Sequence, residues 1–169
     1  IAPECLEIVP ANATIIADRI TPSILGAGLV EAIDGSVIVA NQSNGGTVHW
    51  VPILEDPTAP LAVGRFGWKS QLATLMSFSG DATLMEMGIT NSILQVENAP
   101  NGDTSLIPIC DSVMDPEEPV DNGVPYLERI TDFQKFLAPP PQTPKSGMSG
   151  EAIFTSIGCA DCHRPEYTT

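Results

Sequence analysis

The chain has 169 residues, 43% of them hydrophobic and 17% charged, which is the composition of a folded domain, or of one domain and part of another, and not of a disordered chain. With 21 acidic side chains against 7 basic ones the formal net charge is −14. That surface repels nucleic-acid phosphates and anionic lipid, and no apolar run reaches the roughly 18 residues a membrane-spanning helix needs.

The start, Ile1-Ala2-Pro3, has no initiator Met and none of the basic and apolar signature of a signal peptide. The natural amino terminus is therefore expected upstream. Residues 1–20 read as irregular. Thr21-Pro22 is a helix start, because Thr caps well and Pro at the first helical position gives up an N–H that would be unpaired anyway. That helix is predicted over Pro22–Ile33, stopping at Asp34-Gly35. Residues 36–64 hold alternating pieces such as Thr47-Val48-His49-Trp50-Val51, which suit short strands between Asn, Gly and Pro breakers. A second helix is predicted over Gln71–Phe78, and residues 88–122 read as a long surface excursion.

The clearest helix runs from Pro125 to Leu137, with Leu127, Ile130, Phe133 and Leu137 on one stripe. Ala138-Pro139-Pro140-Pro141 ends it, and Pro139–Gly147 has the composition of a stiff linker. A last helix over Met148–Ile157 leads through Gly158 into Cys159-Ala160-Asp161-Cys162-His163. The 16 prolines break the chain often, so the expected fold is mainly α, with long irregular loops and a few short strands.

The spacing Cys-x-x-Cys-His has a chemical reason. Two thiols on one turn reach both vinyl groups of a haem, and the following imidazole ligates the iron from below. Cys159, Cys162 and His163 are thus the candidate haem c site, with His163 as the metal ligand. A short helix ahead of the motif suits a cytochrome c-like fold. Haem c is attached outside the cytoplasm, so a periplasmic or otherwise extracytoplasmic location is expected. Half a zinc site is the first alternative, but no second Cys or His pair completes it. A redox dithiol is the second, but no strand precedes the motif. The acidic surface then suits a small basic electron-donor protein as partner, or serves solubility alone. Cys5 and Cys110 remain. They can close a long loop in an oxidising compartment, or stay unpaired, or find partners outside this segment.

Four phrases in order resemble one family. They are Thr21-Pro22-Ser23-Ile24-Leu25-Gly26-Ala27-Gly28, then Gly64-Arg65-Phe66-Gly67-Trp68-Lys69 followed by Glu86-Met87-Gly88-Ile89-Thr90-Asn91, then Leu127-Glu128-Arg129 leading to Phe133-Gln134-Lys135-Phe136-Leu137-Ala138-Pro139-Pro140, and last Ile153-Phe154 with Gly158-Cys159-Ala160-Asp161-Cys162-His163-Arg164-Pro165. Together they resemble the di-haem oxidoreductases, also described as thiol oxidoreductases or peroxidases, distant relatives of the bacterial di-haem cytochrome c peroxidases. The resemblance covers most of residues 15–166.

It implies two haem c groups in two cytochrome c-like domains. Residues 1–140 would be the back of the first, whose own motif would lie before Ile1. Residues 141–169 would be the linker and opening helix of the second, which would continue past Thr169. The implied reaction passes electrons between two haems to an oxidant such as peroxide. Trp68 matches a Trp that sits between the haems in the related peroxidases, an electron relay, with a buried core aromatic as the alternative. Glu86 falls near a Glu of the peroxidatic pocket, where a carboxyl shuttles a proton, with a solvated Glu as the alternative. Two departures stand out. The family's Gln after the Thr-Leu pair is replaced here by Met76-Ser77-Phe78, and the loop His before the Thr-Pro helix is absent. His49 is either a distal ligand or a hydrogen-bonded surface His, while Met87 and Met148 are thioethers to screen as ligands or core packing. A periplasmic electron-transfer cytochrome without catalysis is the rival function, and a haem-free fragment with Cys159 and Cys162 joined is the third.

Overall fold

The computed structural model describes residues 2–42, 46–141, 149–164 and 166–169. Among them the fold is mainly helical, with two small antiparallel sheets and long loops, as expected. Met148 and most of the linker lie outside the described residues.

Helix α1 is Ala27–Ala32, five residues later than the Thr-Pro signal predicts. The reason is Gly26, which holds φ +80° as the N-cap and donates its N–H to Leu137 O at 3.0 Å. A helix cannot run through that left-handed residue, so 21–26 stays irregular. Asp34 does not simply stop α1. Its carboxylate accepts from Ser36 N at 2.7 Å and caps a second helix, α2, Gly35–Ala40. The expected strand near Thr47–Val51 contracts to β1, Trp50–Val51, paired antiparallel with β2, Ala62–Val63, so that Trp50 faces Val63 and Val51 faces Ala62.

The Gly64–Lys69 phrase folds into a tight loop. Arg65 N and Phe66 N both donate to Leu72 O, and Leu72 N returns to Phe66 O. A side chain on Gly64 would meet Ser70 O at 1.8 Å, so only Gly fits this crossing. Phe66 goes inward with Ala27, Leu72 and Leu75 to form the core, and its ring sits 5.8 Å from that of Phe78.

Helix α3 spans Leu75–Met87, starting four residues later and ending nine later than predicted. Residues 71–73 are spent bridging back to Phe66. Thr74 caps the helix by accepting from Ser77 N, and Gly88 at φ +65° ends it. The buried face of α3 is Ser77, Ser79, Gly80 and Thr83 as much as Leu75 and Leu84, so no apolar stripe announces its second half.

The 88–122 excursion is less loose than expected. Thr90 and Asn91 are fully buried, and Asn91 Nδ2 donates to Gly80 O at 2.9 Å. Beyond them come short 3-10 turns, the one-turn helix α4 (Ile107–Cys110) and a hairpin of β3 (Val120–Asp121) and β4 (Val124–Pro125). Cys5 and Cys110 form a disulfide with a sequence separation of 105. Closing a loop of that length stabilises the fold by about 4–5 kcal/mol in the chain-entropy model.

Helix α5, Tyr126–Phe136, lies where predicted but is rotated. Its buried line is Leu127, Thr131 and Gln134, while Phe133 of the expected stripe is exposed. That line packs on α3, where Gln134 Nε2 donates to Ser79 Oγ at 3.0 Å. Helix α6, Ser149–Ser156, follows the linker region.

A single carboxylate joins three helices. Glu31 on α1 accepts from Leu75 N, the first N–H of α3, at 2.7 Å, and its other oxygen lies 3.6 Å from Lys135 Nζ on α5. A charged hydrogen bond at a helix N-terminus is worth about 1.5–3 kcal/mol, whereas a half-exposed ion pair contributes about 0–1 kcal/mol. Glu31→Ala should therefore lower the unfolding free energy by about 1.5–3 kcal/mol and Lys135→Ala by less than about 1. Urea unfolding of both variants checks the order, and equal losses would contradict it.

Candidate functional site

Two places carry the residues singled out from the sequence. The first is the turn after α6. Gly158, at φ +84°, reverses the chain into a 3-10 turn over Cys159–Asp161. His163 N donates to Cys159 O at 2.9 Å and Cys162 N to the same carbonyl at 3.3 Å, so both thiols and the imidazole are gathered on one turn. Both thiols are unbridged, Cys159 half-buried and Cys162 exposed. The His163 ring meets Phe154 of α6 edge-on, with centroids 6.2 Å apart. Two free thiols and an accessible imidazole on one exposed turn are the donor set a covalently attached haem requires, and the other two cysteines are already joined to each other.

Beside this turn lies a cavity of about 300 Å³ that Cys162 and Tyr167 line together with His49, Lys69 and Asn41. Tyr167 Oη accepts from Asn41 Nδ2 at 3.2 Å. His49 is exposed, with Nδ1 3.1 Å from the Lys69 carbonyl. A carbonyl only accepts, so Nδ1 is the donor in this contact. His49 thus lies nearer the motif than their separation in sequence suggests. Met87 is exposed at the end of α3 and Met148 lies outside the described residues.

The second place is a cavity of about 410 Å³ between the Gly64–Lys69 loop, α3 and α5. It brings Trp68 and Glu86 together, with Asp81, Gln71, Gln134 and Phe78 around them. Trp68 is 55% exposed, which removes the reading of it as a core aromatic. The Arg19 guanidinium covers its ring at 5.7 Å, within cation–π range. Glu86 is exposed on the last turn of α3.

Asp81 and Gln134 escaped the sequence reading. Asp81 lies five residues before Glu86, a spacing that does not put the two on one helix face, so no periodicity signal pointed to it. Burial pushes the Asp81 carboxyl above its ordinary value, and the negative charge of Glu86 pushes it the same way. Gln134 is 7% exposed, and its Oε1 has no hydrogen-bond partner among the described residues. Its role was hidden because the apolar pattern of α5 pointed to a different face. A further group, Glu97, Asp115 and Glu117, brings three carboxylate oxygens within 4.8 Å of one another. Burial first, and then the charges of Asp111, Glu117 and Asp115, raise the Glu97 carboxyl.

The sequence model of a family described as "Di-haem oxidoreductase, putative peroxidase" matches residues 10–169. No curated protein and no solved structure matches the chain.

The raised Asp81 carboxyl has a stability consequence. Its contribution is fully present below the unfolded-state range of about pH 4 and is lost as pH rises through the higher folded value. Asp81→Asn should therefore raise the thermal midpoint near pH 7, and the gain should shrink toward zero as pH falls to about 3.5. A difference that does not change with pH would exclude the buried, Glu86-coupled carboxyl as its source.

Proposed function

The chain belongs to the di-haem oxidoreductase family, and from that premise we propose that it serves an extracytoplasmic, peroxidase-like enzyme carrying haem c at the turn after α6. The observation that carries the reading is the pair of unbridged thiols directly before His163. In this reading Cys159 and Cys162 would hold the haem through thioethers and His163 would supply a nitrogen ligand to its iron. Haem, when bound, supplies the redox-active iron. The Cys5–Cys110 bridge supports an oxidising compartment, which agrees with where haem c is attached. Among the described residues no helix is long and apolar enough to cross a membrane.

The roles of the remaining residues follow from the larger cavity. Reducing peroxide to two waters consumes two electrons and two protons, so the site needs an electron path and a proton source. Trp68 stands at the cavity wall as an exposed indole, suited to pass electrons between redox centres. Asp81 and Glu86 supply carboxyls. Burial keeps Asp81 protonated to higher pH than a free carboxyl, so it can give a proton where Glu86 can take one from solvent. Arg19 over the Trp68 ring offsets part of the negative charge gathered there. By the same reading residues 1–140 belong to one cytochrome c-like domain and 141–169 open a second, with a haem in each. The net charge of −14 suits a small basic donor protein that docks by charge steering.

The test uses the protein expressed from its complete gene in a host that matures haem c. A reduced pyridine haemochrome spectrum with intact mass should give two covalent haems, and peroxide should be consumed with a reduced donor. Two haems without peroxide turnover would favour an electron carrier, and no covalent haem would remove the reading altogether.

Trp68→Phe keeps an aromatic ring but loses the more easily oxidised indole. It should slow electron transfer between the haems by about tenfold or more, a change of roughly 1.4 kcal/mol in the barrier, and leave the haem spectrum intact. An unchanged rate in flash or stopped-flow measurements would end its role as relay.

A further inference from the structure

Arg19 is placed unlike the other cations. The chain has 21 acidic side chains to 7 basic ones, so a carboxylate partner is easily found. Arg129 pairs with Asp121 and Lys135 with Glu31, while Arg65 donates to the Val63 and Ile33 carbonyls. Among the described residues Arg19 makes no such bond. Its guanidinium stands instead over the Trp68 ring, 5.7 Å from the centroid, although Asp81 and Glu86 line the same cavity as that ring. The arm that carries it is exposed throughout residues 6–25. Just after Arg19, however, Thr21, Pro22 and Ile24 form part of the cavity wall, and Gly26 N donates to Leu137 O. The arm is thus anchored close to the guanidinium it presents.

Trp68 stands on a loop that borders both cavities. Gly64, Lys69 and Ser70 line the space beside the thiol turn together with Cys162, and Gly67 and Trp68 line the larger one. The chain's other indole, Trp50, is a built-in comparison. The two rings are 50% and 55% exposed, and among the described residues only that of Trp68 has a cation over it. A cation over an indole face is attracted to the electron density of the ring. When the ring loses an electron, the same cation repels the positive charge left behind. The oxidised form is destabilised, and the one-electron potential of the ring rises. Charged carboxyls in the cavity act in the opposite sense, so without Arg19 this ring would be the more easily oxidised of the two.

We propose that Arg19 is a positioning residue for the electron relay, its guanidinium raising the one-electron potential of the Trp68 indole so that electrons cross the ring without leaving it oxidised. This rests on the relay reading of Trp68 and adds to it the residue that regulates the relay. In the step concerned the indole gives one electron to the centre that peroxide has oxidised and regains one from the donor side. No bond is made or broken at Arg19 or at Trp68. The danger lies between the two transfers, when a ring that keeps its positive charge is open to attack by water and oxygen. Arg19 shortens that interval by making the charged ring the less stable state.

The experiment uses the protein from its complete gene, loaded with haem, with Arg19→Gln and Arg19→Lys. Gln keeps a planar amide to cover the ring and removes the charge, whereas Lys keeps the charge. In the first arm the oxidant is the azide radical, which takes one electron from an indole and leaves as azide ion. It is uncharged, so charge steering does not enter. Oxidised products at Trp68 and Trp50 are counted by peptide mass spectrometry. The ratio of Trp68 to Trp50 products should rise about three- to tenfold in Arg19→Gln, the effect of a unit charge on a half-exposed ring, and stay within about twofold of the parent in Arg19→Lys. In the second arm hydrogen peroxide is added without a donor. Trp68 should be lost about three- to tenfold faster in Arg19→Gln than in the parent, with covalent haem content unchanged.

An unchanged product ratio in Arg19→Gln would overturn the role of Arg19 and leave the peroxidase-like reading standing. So would an equal rise in Arg19→Gln and Arg19→Lys, since that marks shielding by the arginine side chain and not its charge. If the radical arm shows the shift while peroxide leaves Trp68 intact in both proteins, the indole carries no electrons in turnover, and the relay and its regulation fall together.

Discussion

The Glu31 carboxylate is the interaction on which the arrangement of helices depends. It stands on a six-residue helix that has little stability of its own. From there it reaches the first N–H of α3 and the ammonium of Lys135 on α5. The contact with α3 is the stronger because it joins a full charge to an N–H at the positive end of a helix dipole. A second carboxylate reinforces the same end. Glu55 accepts from both the Thr74 and Ser77 hydroxyls, and Ser77 Oγ in turn accepts from Leu54 N. With its amino terminus held on two sides, α3 has a set rotation, and its polar inner face meets α5 in one register only.

That register decides what the larger cavity contains. The α3–α5 contact is built from small and polar groups: Gln134 donates to Ser79 Oγ, and Thr131 Oγ1, which donates to Leu127 O within α5, lies 3.5 Å from the Met76 sulfur, while Asn91 of the loop after α3 closes on Gly80. Hydrogen bonds are directional, so a slipped pairing would strand several buried polar atoms at once. An apolar seam would tolerate sliding more readily. Gly28 adds a steric limit, since a side chain there would meet Lys135 O at 2.1 Å. Helices α1 and α5 can approach that closely only because the position is Gly.

The same polar seam explains which parts were legible from the amino-acid sequence. The thiol motif could be read because its residue types stand at a fixed spacing, whatever the surrounding fold. The ends of α5 could be read because consecutive prolines stop a helix regardless of context. The length of α3 could not, because periodicity methods follow apolar residues and its inner face carries Ser, Gly and Thr. The rotation of α5 was misread for the same reason: Phe133 looks like core and is exposed, while Thr131 and Gln134 look like surface and are buried. The start of α1 was misread because Gly26 and its left-handed backbone overrule a good capping signal, a tertiary choice tied to Leu137 O. Of the cavity, Trp68 and Glu86 were found by resemblance, but Asp81 and Gln134 needed the helix phases. The disulfide was left open because pairing depends on distance in space, and only the folded chain brings Cys5 to Cys110.

The Cys5–Cys110 bridge also bears on how the protein matures. Four cysteines allow six single bridges, and only Cys5–Cys110 leaves Cys159 and Cys162 both free. The compartment that forms the bridge would also oxidise the two neighbouring thiols to each other, and a bridged pair cannot form thioethers. On the proposed function, biogenesis would therefore be a competition between an oxidant and a haem-attaching machinery for one set of sulfurs. With Cys5 and Cys110 bridged, neither offers a free thiol that an oxidant could join to the motif. A chain that lost either Cys5 or Cys110 would hold an odd thiol within reach of that oxidation, so its deficit would show up in the yield of mature cofactor-bearing protein before it showed up in the chemistry.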